Sequence, residues 1–260
     1  ITIMNIGFIG TGTITTSVIQ GLFRSKIKVK QILISERSKK NSSALSKKFK
    51  KVKVVKNNQE IIDQSSWIFI AVVPKVAKLI LKDLKFKKNQ TIISFVSTAS
   101  MAYLKKTLHP ATTIIKAAPL PTIEHKLGPI VLFPNNKKVT SFFNHLGRAV
   151  VASNEKENNH LWTIASSMAT YFEFCNTLET WLVNKKVKAD KARAMVASLM
   201  FGLSHTMLMS KTKTKDLVKE YQTKKGINEE LLNRLKKAGV FSHTNKGLSK
   251  ILQRITKAND

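Results

Sequence analysis

Short runs of β-branched apolar residues alternate with stretches of helical period along the first 150 or so positions, and the alternation then stops. Runs over 5–9, 31–35, 51–55, 67–72, 91–96, 113–117 and 130–133 have strand length. Between them apolar residues recur at three- and four-residue spacing, as Ile14, Val18, Ile19 and Leu22 do. Strands alternating with helices predict a mostly parallel, doubly wound sheet covered on both faces. The polar stretch 153–159 closes this pattern, and from His160 onward only helical periods remain, over 161–183, 188–209, 216–221, 229–237 and 246–257. The chain is therefore read as an α/β domain over 1–155 followed by an all-α domain over 156–260.

The first strand breaks directly into Gly10-Thr11-Gly12-Thr13-Ile14-Thr15. A glycine at position 10 permits a tight strand-to-helix turn. A glycine at position 12 lets backbone approach a pyrophosphate, whose charge meets N–H groups and the positive end of the next helix. The third position of the fingerprint is Thr15 rather than Gly or Ala. The second apolar run follows roughly 20 residues beyond the glycines, completing a βαβ unit, so the first domain is expected to be a Rossmann-type dinucleotide-binding domain. Gly10, Thr11, Gly12, Thr13 and Ile14 are the candidate pyrophosphate contacts. The bland alternative is a structural glycine turn.

Composition narrows the class. At 260 residues the chain can bury sizeable cores, and its 43% hydrophobic content is that of a globular protein. The longest apolar stretch, 67–74, is far short of the ~20 residues of a membrane span, and no charged-then-apolar leader precedes it. With Met4 read as the natural start and residues 1–3 as an extension, a cytoplasmic protein without membrane attachment is expected. Cys175 is the only cysteine, so no intramolecular disulfide or cysteine cluster can form, and it reads as an inert core thiol. His109, His125, His145, His160, His205 and His243 show no ligand spacing, so no metal site is expected. No GxSxG elbow and no Walker pattern occurs.

The formal net charge is +30, from 45 Lys and Arg against 15 Asp and Glu. Residues 1–155 carry 26 basic and 6 acidic side chains and residues 156–260 carry 19 and 9, so both halves are basic and no tail is singled out. Arg, the residue suited to bidentate base and phosphate contacts, numbers 6 against 39 Lys. The excess reads as a chain-wide compositional trend. No specific nucleic-acid partner is expected, only salt-sensitive polyanion affinity. The Lys- and Ser-rich run 41–50 reads as a solvated helix face, with attraction of a cofactor phosphate as the alternative.

The stretch 161–183 contains Trp162, Met168, Tyr171, Phe172, Phe174, Leu178, Trp181 and Leu182, more apolar surface than one helix face hides. Two copies packing together would cover it, which predicts a homodimer or an oligomer of dimers. A helix central to a monomeric bundle is the alternative.

Taken together these features resemble the pyrroline-5-carboxylate reductase family, nearly end to end. The resemblance is carried by Ile6-Gly7-Phe8-Ile9-Gly10-Thr11-Gly12, and by Ile70-Ala71-Val72-Val73-Pro74-Lys75, where the family has an Ala-Val-Lys-Pro strand end. It is carried also by Lys116-Ala117-Ala118-Pro119-Leu120-Pro121, where the family has Arg-x-Met-Pro-Asn-x-Pro. Thr223-Lys224-Lys225-Gly226-Ile227-Asn228 stands where the family places Ser-Pro-Gly-Gly-Thr-Thr, and 232–241 keeps a helix-then-glycine ending. The resemblance implies a nucleotide-binding domain followed by a helical dimerisation domain that completes the active site, with hydride transfer from reduced nicotinamide to a cyclic imine and proline as product. It places Val72, Val73 and Pro74 beside the nicotinamide half, and Gly226 and Asn228 at the substrate, with Asn228 as the catalytic candidate.

The match has gaps. Leu120 stands for the family's asparagine and Asn228 for its threonine, and Ser166 to Tyr171 keeps only Ser167 and Tyr171 of Gly-Ser-Gly-Pro-Ala-Tyr. Asn228 also reads simply as an N-cap, with Glu229 and Glu230 in the first turn and Gly239 closing the helix. The glutamates would repel a substrate carboxylate, and Lys224 and Lys225 would offset them. A β-hydroxyacid dehydrogenase, the nearest competing architecture, would need a lysine on the first long helix, and 161–183 has none.

Cofactor choice is read after the second strand. Glu36 would suit the ribose 2′-hydroxyl of NAD, whereas Ser35, Arg37 and Ser38 suit a 2′-phosphate, so NADP is favoured and NAD stays open. The alternative function is a cofactor-binding protein with another substrate or no catalysis, acting as a sensor or partner.

Overall fold

Successive side chains of the strands enter two separate apolar layers, which is what near-continuous hydrophobic runs achieve when both faces of a sheet are covered. The computed structural model describes residues 4–257, and the reading of residues 1–3 as an extension lies outside the described residues. The chain runs β1 (Asn5–Ile9), α1 (Thr13–Arg24), β2 (Gln31–Ser35), α2 (Lys39–Lys48), β3 (Val52–Val55), α3 (Asn58–Gln64), β4 (Trp67–Ile70) and α4 (Pro74–Ile80). It continues with β5 (Thr91–Ser94), α5 (Met101–Thr107), β6 (Thr113–Ala118), β7 (Pro129–Phe133), α6 (Lys137–Asn144), β8 (Arg148–Val151) and α7 (Glu155–Thr163). Ile6, Phe8, Ile32, Ile34, Trp67 and Phe69 share one layer with Val18 and Leu22 of α1 and Phe142 and Phe143 of α6. Ile9, Leu33, Ile68, Ile70 and Ile92 share the other with Ile61 and Ile62 of α3, Ala77 of α4 and Leu104 of α5.

The eight strands lie in the order β3-β2-β1-β4-β5-β6-β7-β8. All pairings are parallel except β6 with β7, where Lys116 stands opposite Phe133. The chain winds outward from β1 to β3, returns to place β4 beside β1, and winds out the other way. The crevice of such a sheet opens at the carboxyl ends of the two strands where the order reverses. Here those ends lead into Gly10 and Ala71. β8 has no counterpart in the expected strands. Its four residues Arg-Ala-Val-Val are too few to show a period, and it forms by adding to β7 at the sheet edge.

Contacts divide the chain into residues through Thr163 together with 252–257, and residues 164–251. The boundary expected at 155/156 follows the last polar loop; α7 instead packs against β7, carrying the first unit to Thr163. The second unit contains α8 (Met168–Asn184), α9 (Ala189–Met209), α10 (Thr214–Glu220), α11 (Ile227–Lys237) and the larger part of α12 (Val240–Lys257). The helical run 161–183 is not one helix: a 3-10 turn at Ile164–Ser167 separates α7 from α8. No residue of α8, α10, α11 or α12 is buried, and α9 buries only Ala192 and Val196. Cys175 is accordingly half-buried rather than a core thiol.

Candidate active site

Gly10 sits at φ +102°, a conformation that costs any residue with a Cβ. A Cβ there would also stand 2.5 Å from the Ala71 carbonyl oxygen and 2.8 Å from Val72 Cγ1, so the β1 and β4 loops touch at this point. Its N–H donates to Ser35 Oγ at 3.0 Å. The Thr11 hydroxyl, itself buried, donates to the Ser35 carbonyl and lies 3.1 Å from Ser35 Oγ. The Thr15 hydroxyl donates to the Gly10 carbonyl at 2.7 Å. That bond explains the departure from the glycine fingerprint: Thr15 is fully buried and satisfies the acceptor that the sharp turn exposes.

Gly12 is the N-cap of α1, with φ −80° and ψ −170°, and a Cβ there would meet nothing within 4 Å. Nothing inside the protein therefore requires glycine at position 12. The vacant space lies over the start of a twelve-residue helix with no acidic residue in its first turn. This is an anion cradle, where N–H groups and helix dipole point at one place. Gly12 and Thr13 are exposed and Ile14 is half-buried beside them. The residues present thus fit a pyrophosphate.

The expected 2′-phosphate set is split by the structure. Ser35 is buried and its hydroxyl is engaged by the phosphate turn, so it shapes the loop instead of facing a ligand. Arg37 is exposed and Ser38 half-buried just beyond β2, and Ser38 is the N-cap of α2 without a side-chain capping bond. The run 41–50 is not wholly a solvated face, since Ser42 and Leu45 are buried. Asn41 was missed by sequence reasoning: its side-chain amide donates to the Thr11 carbonyl at 2.9 Å, tying the first turn of α2 to the phosphate loop. Only its proximity in sequence to β2 hinted at that. Asn41→Ala is expected to weaken dinucleotide affinity several-fold and stability by about 1 kcal/mol, read by cofactor titration and denaturant unfolding.

Val72 is half-buried, Val73 is 64% exposed as the N-cap of α4, and Pro74 opens that helix. Of these only Val72 comes up against Gly10, beside the Ala71 carbonyl; Val73 and Pro74 follow it in the chain. Farther along the sheet, Lys116 of β6 is buried, and its ammonium lies 3.0 Å from Glu155 Oε1 at the start of α7. The same oxygen accepts the Met101 N–H at 2.9 Å, so one carboxylate joins β6, α5 and α7. A lone lysine within the apolar run 113–118 was the available signal for this pair. Leu120, half-buried, leads into a 3-10 turn at Pro121–His125 that packs on α1. There Gly21 leaves no room for a Cβ against the Ile123 carbonyl, and Arg24 donates to the Glu124 carbonyl at 2.6 Å.

In the second unit Gly226, not Asn228, is the N-cap of α11. A Cβ on Gly226 would lie 2.8 Å from the Thr223 carbonyl oxygen, which explains glycine at the cap. Asn228 is exposed in the first turn, and its amide donates to the Tyr221 carbonyl at 3.0 Å. The two first-turn carboxylates are already engaged: Glu229 accepts the Lys225 N–H at 2.6 Å, and Glu230 pairs with Arg234 at 2.7 Å. Gly239, at φ +76°, closes α11 as expected. Ser167 donates to the Ile164 carbonyl. Partial burial pushes the Tyr171 phenol above its ordinary pKa, and the neighbouring Cys175 thiol adds to this.

Residues 5–98 match the family model for NADP oxidoreductase, coenzyme F420-dependent, and residues 155–258 match that for pyrroline-5-carboxylate reductase dimerisation. Pyrroline-5-carboxylate reductase 3 of Danio rerio is 33% identical over 119 residues, 45% of this chain and 41% of that protein. The match thus spans less than half of that relative's length. A 1-pyrroline-5-carboxylate reductase from Streptococcus pyogenes shares the fold with a TM-score of 0.86 at 21% identity, over 98% of both chains. A pyrroline carboxylate reductase of Plasmodium falciparum, solved with NADP bound, does so with a TM-score of 0.87 at 18% identity, over 99% of this chain and 98% of that one. Among the described residues no helix is long and apolar enough to cross a membrane. Residues 155–258 thus carry the dimerisation domain of the pyrroline-5-carboxylate reductases, behind a nucleotide-binding type of domain in the order those enzymes have, and the chain shares their fold over nearly its whole length.

Proposed function

We propose that this protein is a cytoplasmic, homodimeric, NADP-preferring reductase of a cyclic imine, with proline as its product. The observation that carries the reading is the vacant cradle over Gly12, beside a Gly10 whose backbone and neighbours disfavour any side chain, in a chain similar to this family. Reduced nicotinamide, when bound, supplies the hydride that reaches the imine carbon. In this reading the backbone at Gly12, Thr13 and Ile14 holds the pyrophosphate, with Gly10 and Thr11 shaping the turn. Val72, Val73 and Pro74 cover the nicotinamide half and keep water from it. Gly226 and Asn228, at the first turn of α11, hold the substrate carboxylate and imine, with the repulsion of Glu229 and Glu230 reduced by their own partners.

The preference for NADP rests on Arg37, the exposed guanidinium just past β2, with Ser38 beside it; Ser35 serves through the shape of the loop. Arg37→Ala is expected to raise the NADPH dissociation constant about tenfold, the ~1.4 kcal/mol of a lost charge-assisted contact, and to change that for NADH by less than twofold. Equal losses for both cofactors would remove Arg37 from this role.

The activity is tested by following NADPH and NADH oxidation with 1-pyrroline-5-carboxylate at protein concentrations where the cofactor saturates. No turnover with either rejects the specific reaction. A second reading, a cofactor-binding protein with a different substrate or none, is favoured by Leu120 and by the Asn228 amide being engaged with Tyr221. Restoring Leu120→Asn with Asn228→Thr separates the two: gained imine reduction marks an eroded reductase, and no gain favours the second reading.

A further inference from the structure

We propose that the cavity beneath α6, at the amino ends of β1 and β4, is a second binding site that takes a small carboxylate with a flat apolar body. It lies at the opposite end of β1 from the phosphate turn: Met4 precedes the strand and Gly10 follows it, about 20 Å apart for six residue steps at ~3.3 Å each. The inference therefore stands apart from the reading of the cofactor end.

The cavity holds about 480 Å³, the size of sites for small organic ligands. Its walls are apolar and fixed. Trp67 and Phe142 line it with ring centroids 5.2 Å apart and planes tilted by 56°, and Phe142 is braced edge-on against Phe143. Met4 adds a thioether that moulds to a flat guest. The rim is cationic. Lys137 and Lys138 are exposed at the first turn of α6, with no acidic residue in that turn, and neither takes part in an ion pair among the described residues. Asn136 already accepts the Lys138 and Val139 N–H groups at 3.1 Å each. Recognition of a negative charge consequently falls to the two ammonium groups; Ser141 also lines the cavity, while the Ser66 hydroxyl already donates to the Asn5 carbonyl. Aromatic walls under a cationic rim select one charge on an apolar body. A polyphosphate would leave the walls uncovered, and a neutral aromatic would leave the ammoniums unused.

The test uses the whole chain with 3-phenylpropionate and its neutral amide, titrated by saturation-transfer NMR. The acid is expected to bind about tenfold more tightly than the amide. Lys137→Ala with Lys138→Ala, an exposed pair, removes that preference while the amide still binds. Ser141→Trp, which fills the cavity from its exposed edge, abolishes binding of both ligands. NADPH affinity stays unchanged in every variant. Absence of binding, equal affinity for acid and amide, or unaltered binding in either variant overturns the proposal.

Discussion

Gly10→Ala is expected to destabilise the first unit by about 2–4 kcal/mol and to abolish measurable dinucleotide binding, whereas Gly12→Ala leaves stability unchanged and loses only the binding. The first cost has two parts. Holding a Cβ at φ +102° costs on the order of 1–3 kcal/mol, and a further ~1 kcal/mol or more comes from forcing the Ala71 carbonyl away from a Cβ 2.5 Å off. For a chain of this size that lowers Tm by roughly 5–15 °C. At Gly12 the backbone is ordinary and the space is open, so the folded protein has no objection to alanine. The added methyl group instead occupies the place a pyrophosphate must enter, and a weakening of at least tenfold is expected. Thermal unfolding and cofactor titration on the two variants read both halves. If Gly12→Ala binds NADPH as the unmodified chain does, the cradle is not the cofactor site.

This contrast marks what the amino-acid pattern could and could not disclose. The glycine spacing located the turn, and strand-length apolar runs located seven strands, because both signals are local. The two glycines look alike in sequence yet differ in the fold, Gly10 being required by its backbone and its neighbours and Gly12 by nothing inside the protein, and only the surroundings of each Cβ distinguish them. Ser35 was read as a ligand contact because polar residues after β2 have that chemistry. Its burial depends on how β1 and β2 end side by side, which no local pattern carries. The Thr15 hydroxyl's bond within the turn, and the part Asn41 plays in it, are invisible to the pattern for the same reason: their partners, the Gly10 and Thr11 carbonyls, are backbone atoms, and backbone acceptors leave no mark on composition. Gly226 displaced Asn228 at the α11 cap because the close Thr223 carbonyl, not capping preference, decides that position.

The second large effect concerns the helical unit. Phe172 is 68% exposed, Trp181 60%, Phe201 69% and Met209 69%, and α8 buries no side chain at all. A monomer rarely leaves aromatic surface of this extent in water, since each such side chain gains about 1.5–3 kcal/mol on burial. The matching dimerisation model makes a second copy of the chain the natural cover. In a two-fold dimer each substitution is felt twice. Phe201→Glu, a change compatible with the interior of α9, is expected to remove about 2 kcal/mol or more at each copy of the contact. The total of ~4 kcal/mol raises the dimer dissociation constant about a thousandfold. Sedimentation across a concentration series should then show dimer for the unmodified chain and monomer for the variant, with Phe201→Leu remaining dimeric because it keeps the apolar surface. An unmodified chain that sediments as a monomer at every concentration, or a Phe201→Glu protein that stays dimeric, would leave these faces without the partner proposed for them.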